Sequence, residues 1–310
     1  AAKALKVRVL TDVASDLHDQ AKASAKSPLL GSYQHPEFIF YTEGTQAERW
    51  KAAKAAAKEL LDNPMGHAIP TYGGPGLSTE EKANEIWSFF LKESADNIFS
   101  RYFIDTKDES GTKMPLFNGP SGYHAWGGNT PVQDLVDAFA MEDGSKFDWN
   151  NAKHAAAPYE NREPRFYASV AYNGTRWYLG NESQSVNKNI QVFNYRGLKN
   201  GYANTMFWLR TGIGVMKYVH PDDTYENGNI NNARFKPEPA IRYADILLMY
   251  AEALNELTPG VNYDIPSWDG AMTYQISRDK EEMRTGIKPV RMRAGVPDFA
   301  DDIYSDQDKC

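Results

Sequence analysis

Aromatic side chains stand beside polar groups in two turn-rich segments, at residues 123–129 and 173–178. The first reads YHAWGGN and the second NGTRWY. A sugar ring has an apolar face of C–H groups that can stack on an indole or phenol ring, and its hydroxyls need hydrogen-bond partners beside that ring. We therefore predict Trp126 and Trp177 as stacking platforms for a carbohydrate.

Polar partners for such a ligand are present in the same two segments. Asn129 and Arg176 are the predicted hydrogen-bond partners, and Tyr72 and Trp208 are further candidate platforms. The alternative is that these aromatic rings pack beneath loops, which is equally compatible with the sequence because tryptophan is highly buried on average.

A catalytic site is not indicated by any motif. The six histidines are scattered and show no metal-ligand spacing on a helix. A nucleophile elbow, a phosphate-binding loop and a dinucleotide fingerprint are all missing from the sequence. Two carboxylates could still meet in space for glycoside hydrolysis, but most acidic residues are expected to be solvated surface charges. We predict a binding protein rather than an enzyme.

Oxygen ligands cluster in the segment 222–231, which reads DDTYENGNIN. This composition suits calcium, but the spacing is not that of an EF-hand. We expect a hydrated loop and no cofactor, with calcium as the alternative.

Composition limits the partners. The net charge is −7 and basic runs are absent, which argues against nucleic acid. The chain contains 18 tyrosines, 14 phenylalanines and 7 tryptophans. An acidic disordered chain would be poor in aromatic residues, so we expect this chain to be folded. Cys310 is the one cysteine, so no disulfide forms within the chain. No apolar run is long enough to cross a bilayer.

Two amphipathic helices are predicted near the start. The first carries an apolar stripe of Leu5, Val9, Val13 and Leu17. The second covers residues 43–63 and is rich in alanine, which favours helix and permits close packing. Trp50 on this second helix is expected in the core.

The middle of the chain mixes helices with short strands. Ser78 and Glu81 predict a capping box at the start of a helix, which carries the core residue Trp87. Residues 97–103 read as a strand. Thr130 and Pro131 predict the start of another helix, whose buried face is Val132, Leu135, Val136 and Phe139.

Residues 140–232 show little helical periodicity and carry repeated Asn and Gly turns. The run RFYASVAYN at 165–173 reads as a short strand. Phe147 and Trp149 alternate like an inward-facing strand pair.

The segment 234–256 is the most regular part of the chain. Pro237 and Pro239 favour an extended approach to a helix. Apolar residues then recur at helical spacing from Ile241 to Leu254, so the helix should be buried in a helical array with its few charges paired.

The run RYADILLMYAEALNE at 242–256 resembles the signature helix of the SusD/RagB family of outer-membrane nutrient-binding lipoproteins. Segments at 1–10, 128–144, 161–174 and 211–219 match the family in the same order. The resemblance implies a mainly α fold, in which a tetratricopeptide-like helical scaffold carries a large irregular, short-stranded ligand-binding region.

The resemblance also implies the organisation of the chain. Residues 1–310 form a single SusD-like domain that is incomplete at both ends, with a helix pair at 1–63, the ligand-binding region with embedded helices at 64–232 and scaffold helices at 233–310.

The function implied by the family is capture of an oligosaccharide at the cell surface. The ligand would pass to a SusC-like TonB-dependent transporter, and a lipid anchor outside this chain would hold the protein on the outer membrane, facing the exterior. A peptide-binding member of the same family, a glycoside hydrolase and a protein-binding helical-repeat scaffold are the alternatives.

Overall fold

The computed structural model of the chain describes residues 1–71, 76–103, 114–119, 125–178, 189–191, 194, 209–226, 229–232, 234, 236–266 and 270–310. The helices of this part are α1 (Ala2–Ala14), α2 (Gln20–Lys26), α3 (Pro28–Gly31), α4 (Gln46–Asp62), α5 (Thr79–Phe89), α6 (Met114–Asn118), α7 (Gln133–Asp137), α8 (Ala152–Ala156), α9 (Pro164–Ser169), α10 (Tyr243–Asn255), α11 (Lys280–Ala294) and α12 (Asp301–Ser305). A turn of 3-10 helix covers Pro36–Phe38. The predicted mainly α fold is confirmed.

The strands are short and pair two by two. They are β1 (Asn97–Phe103), β2 (Val170–Ala171), β3 (Arg176–Tyr178), β4 (Asn189–Gln191), β5 (Gly214–Val215), β6 (Thr224–Glu226), β7 (Asn229–Asn232), β8 (Lys236–Arg242), β9 (Tyr263–Pro266) and β10 (Thr273–Ile276). The pairs are all antiparallel and join β1 to β8, β2 to β5, β3 to β4, β6 to β7 and β9 to β10. The predicted strand at 97–103 is confirmed.

Helices α1, α4, α10 and α11 pack together as the scaffold. Their shared core combines large side chains such as Trp50 and Leu254 with fully buried alanines such as Ala4, Ala53 and Ala57. Because alanine lacks a long side chain, the helix axes can approach closely. The predicted core position of Trp50 is confirmed, with 4% of its surface exposed.

The segment 236–255 folds as its pattern predicts. Pro237 and Pro239 lie in β8, opposite Tyr102 and Ser100 of β1, and α10 begins directly after this strand. Proline fits such a two-stranded pairing because one edge of each strand needs no donor.

Asp96 fixes the start of α10. Its fully buried carboxylate accepts a hydrogen bond from the Ala244 N–H at 2.9 Å and pairs with Arg293 at 2.7 Å and Arg242 at 3.4 Å. Of the charges predicted to be paired, Arg242 and Asp245 also pair with each other at 3.2 Å.

Two predictions of buried faces are wrong. In α1 the buried residues are Ala4, Val7, Thr11 and Ala14, whereas Leu5, Val9 and Leu17 are at least half exposed. The tight packing of α1 on alanine-rich α4 accepts small side chains, which explains the reversal. The second prediction concerns the helix expected to start at Thr130 and Pro131. This helix, α7, begins two residues after Pro131, with Val132 as its N-cap.

This later start changes the contacts of α7. Val136 is fully buried and Phe139, just after the helix, packs against the same cluster as predicted, but Val132 and Leu135 are more than half exposed. The helix is therefore a short element that presents one main apolar side chain to its neighbours.

The run RFYASVAYN is also not a strand throughout. It begins as α9, and the strand β2 covers Val170–Ala171 alone within it. Pro164 occupies the first turn of this helix, where its missing N–H costs nothing. Its aromatic residues Phe166, Tyr167 and Tyr172 pack against one another, with ring centroids 5.2–6.1 Å apart.

Trp149 differs from its prediction as well. Phe147 is buried, but Trp149 remains 48% exposed and donates its indole N–H to Asp137 at 2.7 Å. The two rings meet edge to face at 5.0 Å. The pair closes a surface loop and is not part of a sheet.

A search for membrane-spanning helices among the described residues found none of sufficient length and hydrophobicity.

Candidate ligand-binding site

A cavity of about 400 Å³ opens between α5, α9 and the turn that leads into β3. Aromatic, carboxylate, amide and guanidinium groups share its wall. The lining residues are Glu80, Ala83, Asn84, Tyr167, Tyr172, Gly174, Thr175, Arg176 and Met216. We call this the tyrosine cavity.

Helix α5 presents one face to the tyrosine cavity. Glu80, Ala83 and Asn84 lie three and four residues apart, so they share a side of the helix. Ser78 caps α5, and Glu81 completes the capping box with the Ser78 N–H at 2.8 Å, as the sequence predicts. This cap fixes where the helix begins and therefore where Glu80 stands.

Trp87 lies on the same side of α5, one turn after Ala83, and anchors the helix. Its ring is 8% exposed and packs with Ala168 and Met216. The indole N–H donates to the Met216 carbonyl at 3.3 Å. The predicted core position of Trp87 is confirmed, and it holds α5 against α9 behind the cavity.

Two tyrosines form the aromatic part of the wall. The hydroxyl of Tyr167 donates to the Tyr159 carbonyl at 2.8 Å and accepts from the Arg162 N–H at 3.2 Å. The ring of Tyr172 stacks on Phe166 with centroids 5.5 Å apart. Both rings are therefore held in place before any ligand arrives.

Burial affects the pKa of these tyrosines. It is the main cause that raises the pKa of Tyr167 and of Tyr172 above the ordinary value. Both hydroxyls therefore remain protonated at neutral pH. That of Tyr167 already donates to the Tyr159 carbonyl, whereas that of Tyr172 can donate to a ligand.

The turn at 172–175 completes the wall. The Thr175 N–H donates to the Tyr172 carbonyl at 3.0 Å. Gly174 adopts φ +95°, which glycine tolerates without strain. The hydroxyl of Thr175 is buried and has no hydrogen-bond partner among the residues described here. A ligand hydroxyl or a water at this position would satisfy it.

The chemistry of the tyrosine cavity suits a polyhydroxylated ligand. Glu80 accepts hydrogen bonds, Arg176 donates them, and Asn84 does both. The tyrosine rings offer apolar contact beside these groups. Within the described wall Glu80 is the lone carboxylate, whereas glycoside hydrolysis ordinarily uses two.

Of the sequence-predicted site residues, Arg176 lines this cavity. Its side chain is exposed and its backbone begins β3, opposite Gln191 of β4. Trp177 follows in the same strand, opposite Ile190, and its side chain lies outside the described part of the structure.

Trp126 and Asn129 lie together beside α6. The backbone N–H of Trp126 donates to the Leu116 carbonyl at 2.7 Å, and the half-buried Trp126 ring meets Phe117 edge to face at 4.9 Å. The Asn129 amide donates to the Asn118 side-chain oxygen at 2.7 Å. No contact described in the structure joins this pair to Arg176.

Tyr72 and Trp208 lie outside the described residues. The predicted set is therefore distributed over at least two places, and its role in binding remains a prediction.

The sequence does not single out five polar or aromatic lining residues: Glu80, Asn84, Tyr167, Tyr172 and Thr175. The i, i+4 spacing of Glu80 and Asn84 was visible, but nothing showed that this side of α5 faces a cavity. The two tyrosines belong to the run RFYASVAYN at 165–173, for which the sequence predicts a strand.

In the acidic segment 222–231, one carboxylate is already engaged by other groups of the protein and is not free to bind calcium. Asp223 is 1% exposed and pairs with the Lys236 ammonium at 2.8 Å. It also accepts hydrogen bonds from the His220 and Arg234 N–H groups at 2.9 Å and 2.8 Å. The residues described include no group of three or more His, Cys, Asp or Glu side chains placed to hold a metal.

The sequence profile of the SusD family matches residues 86–310. This match covers more than half of the chain, so the chain belongs to the SusD family. A search among curated protein sequences finds no match.

Solved structures share the fold. A SusD-like protein from Bacteroides fragilis is 21% identical, with a TM-score of 0.59 over 84% of this chain and 46% of that protein. A second structure from the same species, described as a SusD-like carbohydrate binding protein, is 20% identical, with a TM-score of 0.51 over 82% of this chain and 44% of that protein. The chain thus matches less than half the length of either.

Proposed function

We propose that this chain is the ligand-binding part of a cell-surface lipoprotein that captures an oligosaccharide without cleaving it. The tyrosine cavity carries this proposal, because pre-positioned aromatic rings stand beside carboxylate, amide and guanidinium groups. Membership of the SusD family supports it, as does the carbohydrate-binding description of one structural relative.

The same proposal extends to delivery and location. The captured glycan passes to a SusC-like TonB-dependent transporter in the outer membrane, and a lipid anchor holds the protein on the outer face of that membrane. These two steps rest on the family alone.

A glycan array probed with the full-length protein is the direct test. We expect selective binding to a limited group of oligosaccharides, and incubation with those ligands should release no new reducing ends. Absence of binding across the array would argue for a peptide ligand or a protein-binding scaffold, whereas turnover would establish a hydrolase.

A pair of variants, Asn84→Ala and Ser88→Ala, tests whether the glycan binds in the tyrosine cavity. Both positions are exposed on α5, but Asn84 lines the tyrosine cavity and Ser88 does not. Loss of one polar partner should weaken binding by about tenfold at Asn84, with Ser88→Ala unchanged. Equal affinities of the two variants and the unaltered protein would move the glycan away from this cavity.

A further inference from the structure

A second cavity of about 340 Å³ lies on another side of α5 and α9. Its apolar wall includes Ile86, Phe90 and Phe139, and four cationic side chains also line it. These are Arg165, Lys217, Arg242 and Arg293. We call it the cationic cavity.

Three of these cations have carboxylate partners. Arg242 and Arg293 share the buried carboxylate of Asp96, and Arg242 also pairs with Asp245. Arg165 forms two hydrogen bonds to Glu163, at 2.6 Å and 2.9 Å. Every one of these carboxylates is already engaged by an arginine.

Lys217 has no such partner. It forms no ion pair with any residue that the structure describes, and its ammonium lies over the ring of Phe90 at 4.1 Å and over that of Tyr218 at 5.2 Å. Aromatic faces attract a cation, but they do not neutralise it. The cationic cavity therefore holds, among the described residues, an ammonium group without a directly paired carboxylate beside three arginines, with Asp245 as the nearby negative charge.

The surroundings of Lys217 disfavour its charged form and lower its pKa. Burial is the main cause that lowers its pKa to about 8, and nearby Arg242 and Arg293 lower it further. A cation placed in poor solvation among like charges is stabilised when an anion arrives between them. This arrangement favours binding of an anionic group in the cavity.

We propose that the cationic cavity binds the carboxylate of an acidic sugar residue, of the hexuronate class. The carboxylate lies among Lys217 and the arginines, and the C–H face of the sugar ring lies against Phe90 and Phe139. This inference rests on the proposed glycan-binding function, and it names acidic oligosaccharides as the ligand class.

The experiment titrates the full-length protein with glucuronate, glucose and inorganic sulfate in a low-salt buffer, using calorimetry. We expect glucuronate to bind at least about tenfold more tightly than glucose, since the two differ in the charged group alone. Affinity for sulfate as high as that for glucuronate would overturn the assignment to a sugar acid.

Lys217→Met is the decisive variant, and Lys146→Met is its control, because Lys146 is exposed and does not line the cavity. Glucuronate binding should fall by about tenfold or more in Lys217→Met and stay unchanged in Lys146→Met. The melting temperature of ligand-free Lys217→Met should not fall. A lower melting temperature together with unchanged glucuronate binding would make Lys217 structural and refute the site.

Lys217→Glu gives a second, independent test. Its carboxylate would sit beside Arg242 and Arg293 and take the place of the ligand, so glucuronate binding should disappear while the protein remains folded. Retained glucuronate binding in this variant would refute the proposal.

The two proposals can fail separately. Binding of neutral oligosaccharides with no preference for acidic ones, unchanged in Lys217→Met, would remove the hexuronate site and leave the glycan-binding function intact. Lys217-dependent binding of glucuronate, with no oligosaccharide bound on the array, would remove the function and leave the anion site.

Discussion

Trp87 and Trp126 show how surroundings assign a role to a single residue. Trp87 is buried between α5 and α9, and Trp126 is half-buried against Leu116 and Ala125. Trp87→Ala should cost about 3–5 kcal/mol of stability. Trp126→Ala and Trp177→Ala should instead cost roughly 1–3 kcal/mol of glycan binding, taking base stacking on aromatic side chains as the nearest analogue.

Thermal melts and calorimetric titrations of the three variants separate these cases. Trp87→Ala serves as the core control. If both of the other variants bind glycan normally, or melt as early as Trp87→Ala, then neither tryptophan is a stacking platform.

The pKa of Lys217 predicts a pH-dependent gain in stability on its removal. The folded state lowers this pKa from 10.5 to about 8, so folding disfavours the protonated lysine. Burial, Arg242, Arg293 and Arg165 lower the pKa, whereas Asp245 raises it. Below pH 8 the full cost, on the order of 3 kcal/mol, is present, and it disappears as the pH rises from 8 to 10.5.

Urea unfolding of the unaltered protein and of Lys217→Met measures this effect. We expect Lys217→Met to be the more stable protein at pH 7, with the difference shrinking toward pH 10. A difference that is constant over this range would show that the effect is packing and not charge.

Individual site residues were only partly accessible to prediction from the sequence. Arg176 was selected because it stands beside an aromatic residue in a turn, and it does line a cavity. Tyr172 was overlooked because its exposure depends on the turn at 172–175 and on the ring of Phe166 beneath it. The sequence does not single out Lys217, because a single lysine resembles any surface lysine. Its role depends on arginines from distant segments that lie beside it only in the folded protein.

At the scale of elements, Gly286 controls how closely α10 and α11 approach. A Cβ atom at this position would lie 2.5 Å from the Leu247 carbonyl oxygen and 3.1 Å from the Ala251 Cβ. Gly286→Ala should therefore destabilise the protein by about 1–3 kcal/mol through overpacking, even though alanine favours helix by about 1 kcal/mol.

Gly31→Ala is the control for this prediction. Its Cβ would meet Ser24 at an ordinary 3.4 Å, so Gly31→Ala should leave stability unchanged or raise it by up to about 1 kcal/mol. Chemical denaturation measures both variants. A Gly286→Ala protein as stable as the unaltered one would mean that α10 and α11 separate at little cost.

Elements with a complete local signal were predicted well. The capping box of Ser78 and Glu81 fixed the start of α5, and the periodic run at 242–255 fixed α10. The buried face of α1 was mispredicted because hydrophobicity favoured Leu5 and Val9, whereas the close approach of α4 selects Ala4 and Val7. That distance between helices is a tertiary property, and no local pattern encodes it.

At the scale of the whole molecule, the proposed delivery of the glycan to a transporter predicts a stable complex between the two proteins. A permanent complex of this kind ordinarily buries more than about 2,000 Å², so it should survive extraction of the outer membrane in a mild detergent. Affinity purification of the full-length lipoprotein should then recover the transporter in a near-equal amount, at low and at high salt, since a large apolar interface is weakly screened.

Two comparisons make this prediction decisive. If ligand capture and docking use different surfaces, the Asn84→Ala and Lys217→Met variants, which alter the two cavities, should recover as much transporter as the unaltered protein. Loss of the transporter in either variant would place that cavity at the interface. Recovery of free lipoprotein alone, from membranes that contain the transporter, would contradict delivery through a stable complex and leave capture as the whole function of this chain.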